Sequence, residues 1–397
     1  GYGREVTGPV GMGTGVNVFP LLSTREPYFR LGAKVTKTGA TYPLAVTQEH
    51  GTLEGRGADL TRQANLTDWQ ANATNEDYFK KMGMDSHIPK NVSLYTNPPL
   101  NQPDSIDPHA WGMAIDMNTC LGCSACTIAC QAENNIPIVG KEQVINNREM
   151  HWLRMDRYFA SDTEDVSDPE VIFQPMLCQH CENAPCETVC PVNATVHSED
   201  GLNVMAYNRC IGTRYCANNC PYKVRRFNFF DYNQRPLDSL YKWNLINDKG
   251  TPDTIKMQKN PNVTVRMRGV MEKCTFCVQR IQEAKIAAKI LKADQPGTPR
   301  VPADAFTVAC AEACPTGAIV FGDINNPESR VSKVRASQRS YRLLEYLNTN
   351  PRISYLARIK NPNPKMPGAD HIGAFMRTAH GAAHPHTDAS TEHGGQH

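Results

Sequence analysis

All fifteen cysteines of this 397-residue chain fall between residues 120 and 314, and their spacing limits the fold more than any other feature. They form four groups. The first is Cys120, Cys123, Cys126 and Cys130; the second is Cys178, Cys181, Cys186 and Cys190. The third is Cys210, Cys216 and Cys220, and the fourth is Cys274 and Cys277, then Cys310 and Cys314 after an insertion. An odd count cannot pair wholly as disulfides, and the density is below that of small disulfide-built domains. Two C-x2-C knuckles could hold zinc, but a C-x2-C-x2-C triplet is too crowded to set its thiolates on one tetrahedral ion. Three cysteines on so tight a loop instead fit three corners of an iron–sulfur cube. The fourth, three or more residues on, turns away and reaches a neighbouring cluster, as in two-cluster ferredoxins. Pro191, Pro221 and Pro315 each follow such a cysteine and are expected in the first turn of a helix.

The third group departs from the pattern. Thr213 stands where the second cysteine belongs, in Cys210-Ile-Gly-Thr213-Arg-Tyr-Cys216. A threonine supplies no thiolate, so a [3Fe–4S] cluster is expected there, with a cube completed by water or hydroxide as the alternative. His180, between Cys178 and Cys181, could in principle act as a ligand, but its group already has four cysteines. Lys223, Arg225 and Arg226 follow Cys220-Pro221 and would raise a nearby cluster's potential; otherwise they form a solvated basic face.

Outside the cysteines the chain reads as loop-rich, with 27 Gly, 28 Pro and 40% hydrophobic residues. The net charge of +2 gives no field that would favour nucleic acid. No apolar run approaches the roughly 18 residues of a membrane span. No dinucleotide fingerprint, P-loop or nucleophile elbow is present, so the chain is expected to hold no substrate-converting site of its own. Residues 1–57 read as globular, with strand-like runs at Val16–Leu22 and Tyr42–Thr47, and 58–108 as an extended polar linker. Residues 109–335 form the cysteine region, in which a strand, Met113–Asp116, leads into the first loop and Val278–Lys292 has helical periodicity. Ser161–Glu170 and Asp231–Asn262 read as surface insertions. Residues 336–397 read as an extension with a helical patch, Tyr341–Leu347, and a disordered His-rich tail from His380.

From Trp111 to about Asp323 the chain resembles the four-cluster subunits of the molybdopterin oxidoreductase superfamily. Trp111-Gly-Met-Ala-Ile-Asp, Arg148-Glu-Met-His-Trp, Cys178-Gln-His-Cys-Glu-Asn-Ala-Pro-Cys and Met271-Glu-Lys-Cys-Thr-Phe-Cys are similar to the iron–sulfur subunit of alternative complex III. The resemblance implies an α+β fold of tandem, pseudo-twofold ferredoxin-like units binding four clusters. It also implies that residues 1–57 are the end of a molybdopterin-oxidoreductase-like domain without a metal centre, and hence that the chain is a processed one or a piece of a longer one. By the same resemblance, Cys120, Cys123, Cys126 and Cys314 hold one [4Fe–4S] cluster, and Cys274, Cys277, Cys310 and Cys130 a second. Cys178, Cys181, Cys186 and Cys220 hold a third, and Cys210, Cys216 and Cys190 the [3Fe–4S] cluster. The implied partners are a polysulfide-reductase-type integral membrane subunit that binds quinol, and multihaem and monohaem cytochromes c. The implied place is the periplasmic face of the bacterial inner membrane. The alternative is the electron-transfer subunit of a molybdenum-containing respiratory reductase.

Overall fold

The computed structural model describes residues 15–29, 31–48, 56–87, 107–160, 169–230, 258–293 and 299–369, with isolated residues 3, 232, 297 and 372. The strands, in chain order, are β1 (Gln63–Asn65), β2 (Trp111–Asp116), β3 (Arg154–Ala160), β4 (Glu170–Met176), β5 (Thr195–His197) and β6 (Asn203–Met205). They continue with β7 (Arg226–Phe227), β8 (Met271–Glu272), β9 (Ile319–Asp323), β10 (Ser340–Tyr341), β11 (Ile353–Leu356) and β12 (Arg358–Lys360).

A four-stranded sheet in the order β10-β11-β2-β9 carries the first cysteine loop. β2 runs parallel to β11 and antiparallel to β9. Its alternation decides its two faces. Trp111, Met113 and Ile115 join the main core with most of the cysteines, while Ala114 faces a smaller core of Val320, Val331 and Leu356. Val331 comes from the helix Arg330–Arg335, which opens on Ser329, whose hydroxyl accepts the N–H of Ser332. The long antiparallel hairpin β3/β4 and the short ribbons β5/β6 and β7/β8 flank the remaining loops.

Four expectations need correction. Val16–Leu22 and Tyr42–Thr47 form no strand; the first holds one 3-10 turn, Phe19–Leu21. Val16, Phe19, Tyr28, Leu31, Val35 and Leu44 stay exposed, because no neighbouring strand among the described residues covers them. The stretch read as a linker is folded over residues 56–87. β1 pairs with β12, and Arg62, fully buried, donates to the carbonyls of Ala58, Lys80 and Met82 and pairs with Asp85. Residues 88–106 lie outside the described residues. The segment past 335 is no appendage either, since β11 lies inside the central sheet. Its helical patch is a strand end followed by a 3-10 turn, Glu345–Leu347, because Leu344 and Asn348 take left-handed φ values of 51° and 53°.

The prolines provide the fourth correction. Cys190, Cys220 and Cys314 each close a turn just after a one-turn helix, and the proline that follows stops that helix instead of starting another. The helix expected over 278–292 spans Val278–Leu291. It buries Ile281 and Ala288, while Ile286, Ile290 and Leu291 are exposed. The acidic insertion (161–168), most of the Cys-free insertion (233–257) and the His-rich tail lie outside the described residues.

Candidate iron–sulfur sites

The first and third cysteine loops share one backbone conformation. Gly122 and Gly212 have φ of 66° and 74°, Ser124 and Arg214 have φ of 65° and 62°, and each loop then enters a helix, at Ala125 and Tyr215. Both glycines are needed. A Cβ on Gly212 would lie 2.5 Å from the carbonyl oxygen of Gly269, and one on Gly122 would lie 3.0 Å from the Phe173 ring. Thr213 therefore occupies the position in its loop that Cys123 holds in the first. The second and fourth loops match in the same way. His180 and Phe276 precede Cys181 and Cys277 with φ of 45° and 54°, and their rings stack on each other at 3.9 Å. The two halves of the cysteine region meet at this stack.

The thiols gather in sets drawn from distant parts of the chain. Burial pushes the Cys130 thiol well up, and Cys274, Cys277 and Cys310 push it further. Asn134 Nδ2 lies 3.6 Å from Cys130 Sγ and 3.8 Å from Cys277 Sγ. Burial likewise raises Cys181, with Cys178, Cys220 and Cys186 adding to it. Cys126 is raised to about 11 by burial, then by Cys120 and, more weakly, Cys314. Cys190, Cys210 and Cys216 line one small cavity together with Thr213. Cys123 is exposed at the rim of the first loop.

Four thiols this buried and this close cannot all ionise unaided, because each thiolate opposes the next. A cationic group bound among them removes that penalty, so the residues fit an iron–sulfur cluster. Backbone donors fit it too. Phe276 N–H points at Cys274 Sγ (3.4 Å), Ala194 N–H at Cys190 Sγ (3.1 Å) and Ala318 N–H at Cys314 Sγ (3.3 Å). Burial would raise Cys314, yet the hydroxyl and N–H of Thr316 with the N–H groups of Ala318 and Ile319 hold it below the ordinary thiol value.

Two family profiles described as 4Fe–4S dicluster domain match the chain, over residues 119–194 and 169–233. The iron–sulfur cluster-binding subunit of menaquinone reductase from Nitratidesulfovibrio vulgaris is 41% identical over 251 residues, covering 62% of this chain and 89% of that protein. The chain belongs to the iron–sulfur subunits of menaquinol and related respiratory oxidoreductases. The Hdr-like menaquinol oxidoreductase iron–sulfur subunit 1 of Archaeoglobus fulgidus is 33% identical, with 64% of this chain and 87% of that one covered. A selenate reductase subunit of Mesobacillus selenatarsenatis is 29% identical over 346 residues, 82% of this chain and all of that one. As a member of this family the chain is an electron-transfer protein made of tandem dicluster ferredoxin-like domains in a mixed α/β fold. Among the described residues no helix is long and apolar enough to cross a membrane.

The three basic residues after Cys220 have separate fates in this iron–sulfur subunit. Lys223 is half-buried and lends its carbonyl to Arg154, and Arg226 pairs with the buried Glu149 at 2.7 Å. Arg225 alone meets a thiol. Its Nη2 donates to Cys186 Sγ at 3.1 Å and to Asn203 Oδ1 at 2.8 Å, and it is 5% exposed. Asn203 Nδ2 is 3.6 Å from the same sulfur. Asn203, buried beside these loops, carried no signal in the sequence, and Lys273, also buried, was read only as part of the Met271-Glu-Lys-Cys-Thr-Phe-Cys resemblance with no role of its own. His180 is fully buried, its Nδ1 accepts the N–H of Asn203, and burial with the charges of Lys273 and Arg352 pushes its pKa well down. It acts as a neutral wedge between the halves.

Proposed function

We propose that this chain is the iron–sulfur subunit of an alternative complex III. It relays electrons from quinol, oxidised in a polysulfide-reductase-type membrane partner, toward multihaem and monohaem cytochromes c on the periplasmic face of the inner membrane. The ligand sets of this reading are Cys120, Cys123, Cys126 and Cys314; Cys130, Cys274, Cys277 and Cys310; and Cys178, Cys181, Cys186 and Cys220, each for a [4Fe–4S] cluster. Cys190, Cys210 and Cys216 are the set for a [3Fe–4S] cluster, which is the first acceptor from quinol. Residues 1–57 are the end of a molybdopterin-oxidoreductase-like domain, and their exposed apolar side chains suit a surface covered by the rest of it.

The observation that carries the reading is Thr213, held in the conformation of the Cys123 loop and lining one cavity with Cys190, Cys210 and Cys216. Bound iron–sulfur clusters supply one-electron sites that accept and release charge without bonding a substrate. The protein's part is to keep these sites dry and ordered. Burial of Cys130, Cys181 and Cys310 excludes water, the backbone N–H groups bond sulfur, and Arg225 places positive charge against Cys186. The menaquinone and menaquinol oxidoreductase subunits among the relatives support a quinol-linked role.

EPR of the oxidised complex tests it. A three-iron signal is expected in the resting state, and a sample with full iron and sulfide but no such signal overturns the assignment. A second reading, the electron-transfer subunit of a molybdenum-containing reductase, is favoured by the 82% of the chain that aligns with the selenate reductase subunit. Metal analysis of the purified complex separates the two: stoichiometric molybdenum selects the reductase.

A further inference from the structure

Lys273 is fully buried, yet no carboxylate among the described residues pairs with it. Arg266 is paired with Glu272 and Arg352 with Glu182, while Arg225 donates directly to Cys186 Sγ and Asn203 Oδ1. The ammonium of Lys273 instead rests on two backbone carbonyls. One belongs to Cys274, at 2.9 Å, and the other to Asn203. These carbonyls lead to different cysteine sets. Cys274 belongs to the set with Cys130, Cys277 and Cys310, whereas the Asn203 side chain lies 3.6 Å from Cys186, in the set with Cys178, Cys181 and Cys220. The charge thus stands beside the His180–Phe276 stack, where the halves of the molecule meet.

Packing does not call for a lysine here. The matching position in the other half, immediately before Cys178, is Leu177, which is also fully buried. A leucine keeps the loop closed there without a charge. Desolvating an ammonium is costly, and two carbonyl dipoles offset it only in part. The cost is recovered where negative charge gathers, and each cluster ringed by thiolates gains one more negative charge on reduction.

We propose that Lys273 is a shared potential-setting cation: one ammonium, bonded to carbonyls at two cysteine sets, that raises the reduction potentials of the two central clusters together. This rests on the ligand sets proposed above. Lys273 gives up no proton in this role; it stabilises the added electron on either side and is unchanged when that electron moves on. Two adjacent sites lifted by the same charge rise together, so the step between them is the same with the charge as without it.

The test is an EPR-monitored redox titration of the intact complex carrying Lys273→Gln, Lys273→Leu or Lys273→Arg. Glutamine can still donate to both carbonyls but has no charge, leucine copies Leu177, and arginine keeps the charge. With iron and sulfide unchanged, the neutral variants should lower the reduced-to-oxidised ratio of the two central clusters at least tenfold at a fixed potential, equivalent to about 59 mV for one electron. The outer two should not move, and Lys273→Arg should stay within about threefold of the parent. The proposal is overturned if neither central cluster shifts, if only one does, or if all four shift alike. It is also overturned if both neutral variants lose iron and sulfide while Lys273→Arg keeps them, for then the residue is a structural strut. Parent protein without iron and sulfide would instead remove the cluster assignment itself, an outcome distinct from these.

Discussion

Arg62 holds residues 56–87 folded on themselves, and replacing it with methionine should loosen that segment. Its guanidinium donates to the carbonyls of Ala58 (2.8 Å), Lys80 (3.1 Å) and Met82 (3.3 Å), bonds that of Phe79, and pairs with Asp85, while its face lies 4.8 Å from the centre of the Tyr341 ring. Both charged side chains are essentially without solvent contact. Removing one member of such a pair costs about 3–5 kcal/mol, since the other charge stays buried and unmatched. Each stranded carbonyl would add roughly 1–3 kcal/mol if it stayed buried, but the segment can escape by opening to water, so the penalties do not simply add. Opening should therefore become more frequent by about two to three and a half powers of ten. Hydrogen exchange of the Thr61 and Asn72 amides, which bond the carbonyls of Gly57 and Asp68, reports it directly. Arg62→Met combined with Asp85→Leu should recover much of the loss. If Arg62→Met left protection within a few-fold of the parent, the idea that this pair keeps the segment folded would be wrong.

Thr213→Cys should restore a fourth thiolate and replace the three-iron EPR signal of the oxidised protein with that of a reducible four-iron cluster; a persistent three-iron signal at full loading would show that Thr213 is not the vacant corner. Arg225→Met should lower the potential of the cluster beside Cys186. By Coulomb's law at an effective dielectric of about 20 and a separation of ~8 Å, the change is on the order of 2 kcal/mol, or roughly 90 mV, read by redox titration. His197 is placed between Glu187 (3.2 Å) and Glu182 (3.5 Å); burial opposes its charge, but the two carboxylates raise its pKa to about 9. The folded-state value lies above the unfolded one of about 6.5, so this contribution, on the order of 1 kcal/mol because solvent screens the pairs of this exposed residue, is complete below pH 6.5 and fades as pH rises through 9. Thermal unfolding followed from pH 6 to 9.5 should show that slope in the parent and lose it in His197→Gln.

The cysteine loops were legible because their chemistry is local: spacing fixes which thiols share a turn, and Thr213 declares its own lack of sulfur. The strand expected at Met113–Asp116 is found as Trp111–Asp116, and the helix read from its period over Val278–Lys292 is found to end at Leu291. Residues 56–87 were not legible. Apart from Ala58, the carbonyl and carboxylate partners of Arg62 lie 17 to 23 residues further on, among polar text that reads as linker. Nor could the sequence rank Lys223, Arg225 and Arg226, three neighbouring cations whose difference is which side of a turn faces Cys186. Lys273 stood in the Met271-to-Cys277 motif with no role of its own, because its meaning depends on a carbonyl 70 residues away.

The position of β11 bears on when the protein can mature. Its residues, 353–356, sit between β10 and β2, and β2 leads directly into Cys120. A ribosome that has delivered every cysteine through Cys314 has still not delivered the strand that completes the sheet under the first of them. The scaffold for that loop closes only once the chain through about residue 360 is free to fold, so iron and sulfide are best received by a finished polypeptide and not by a nascent one.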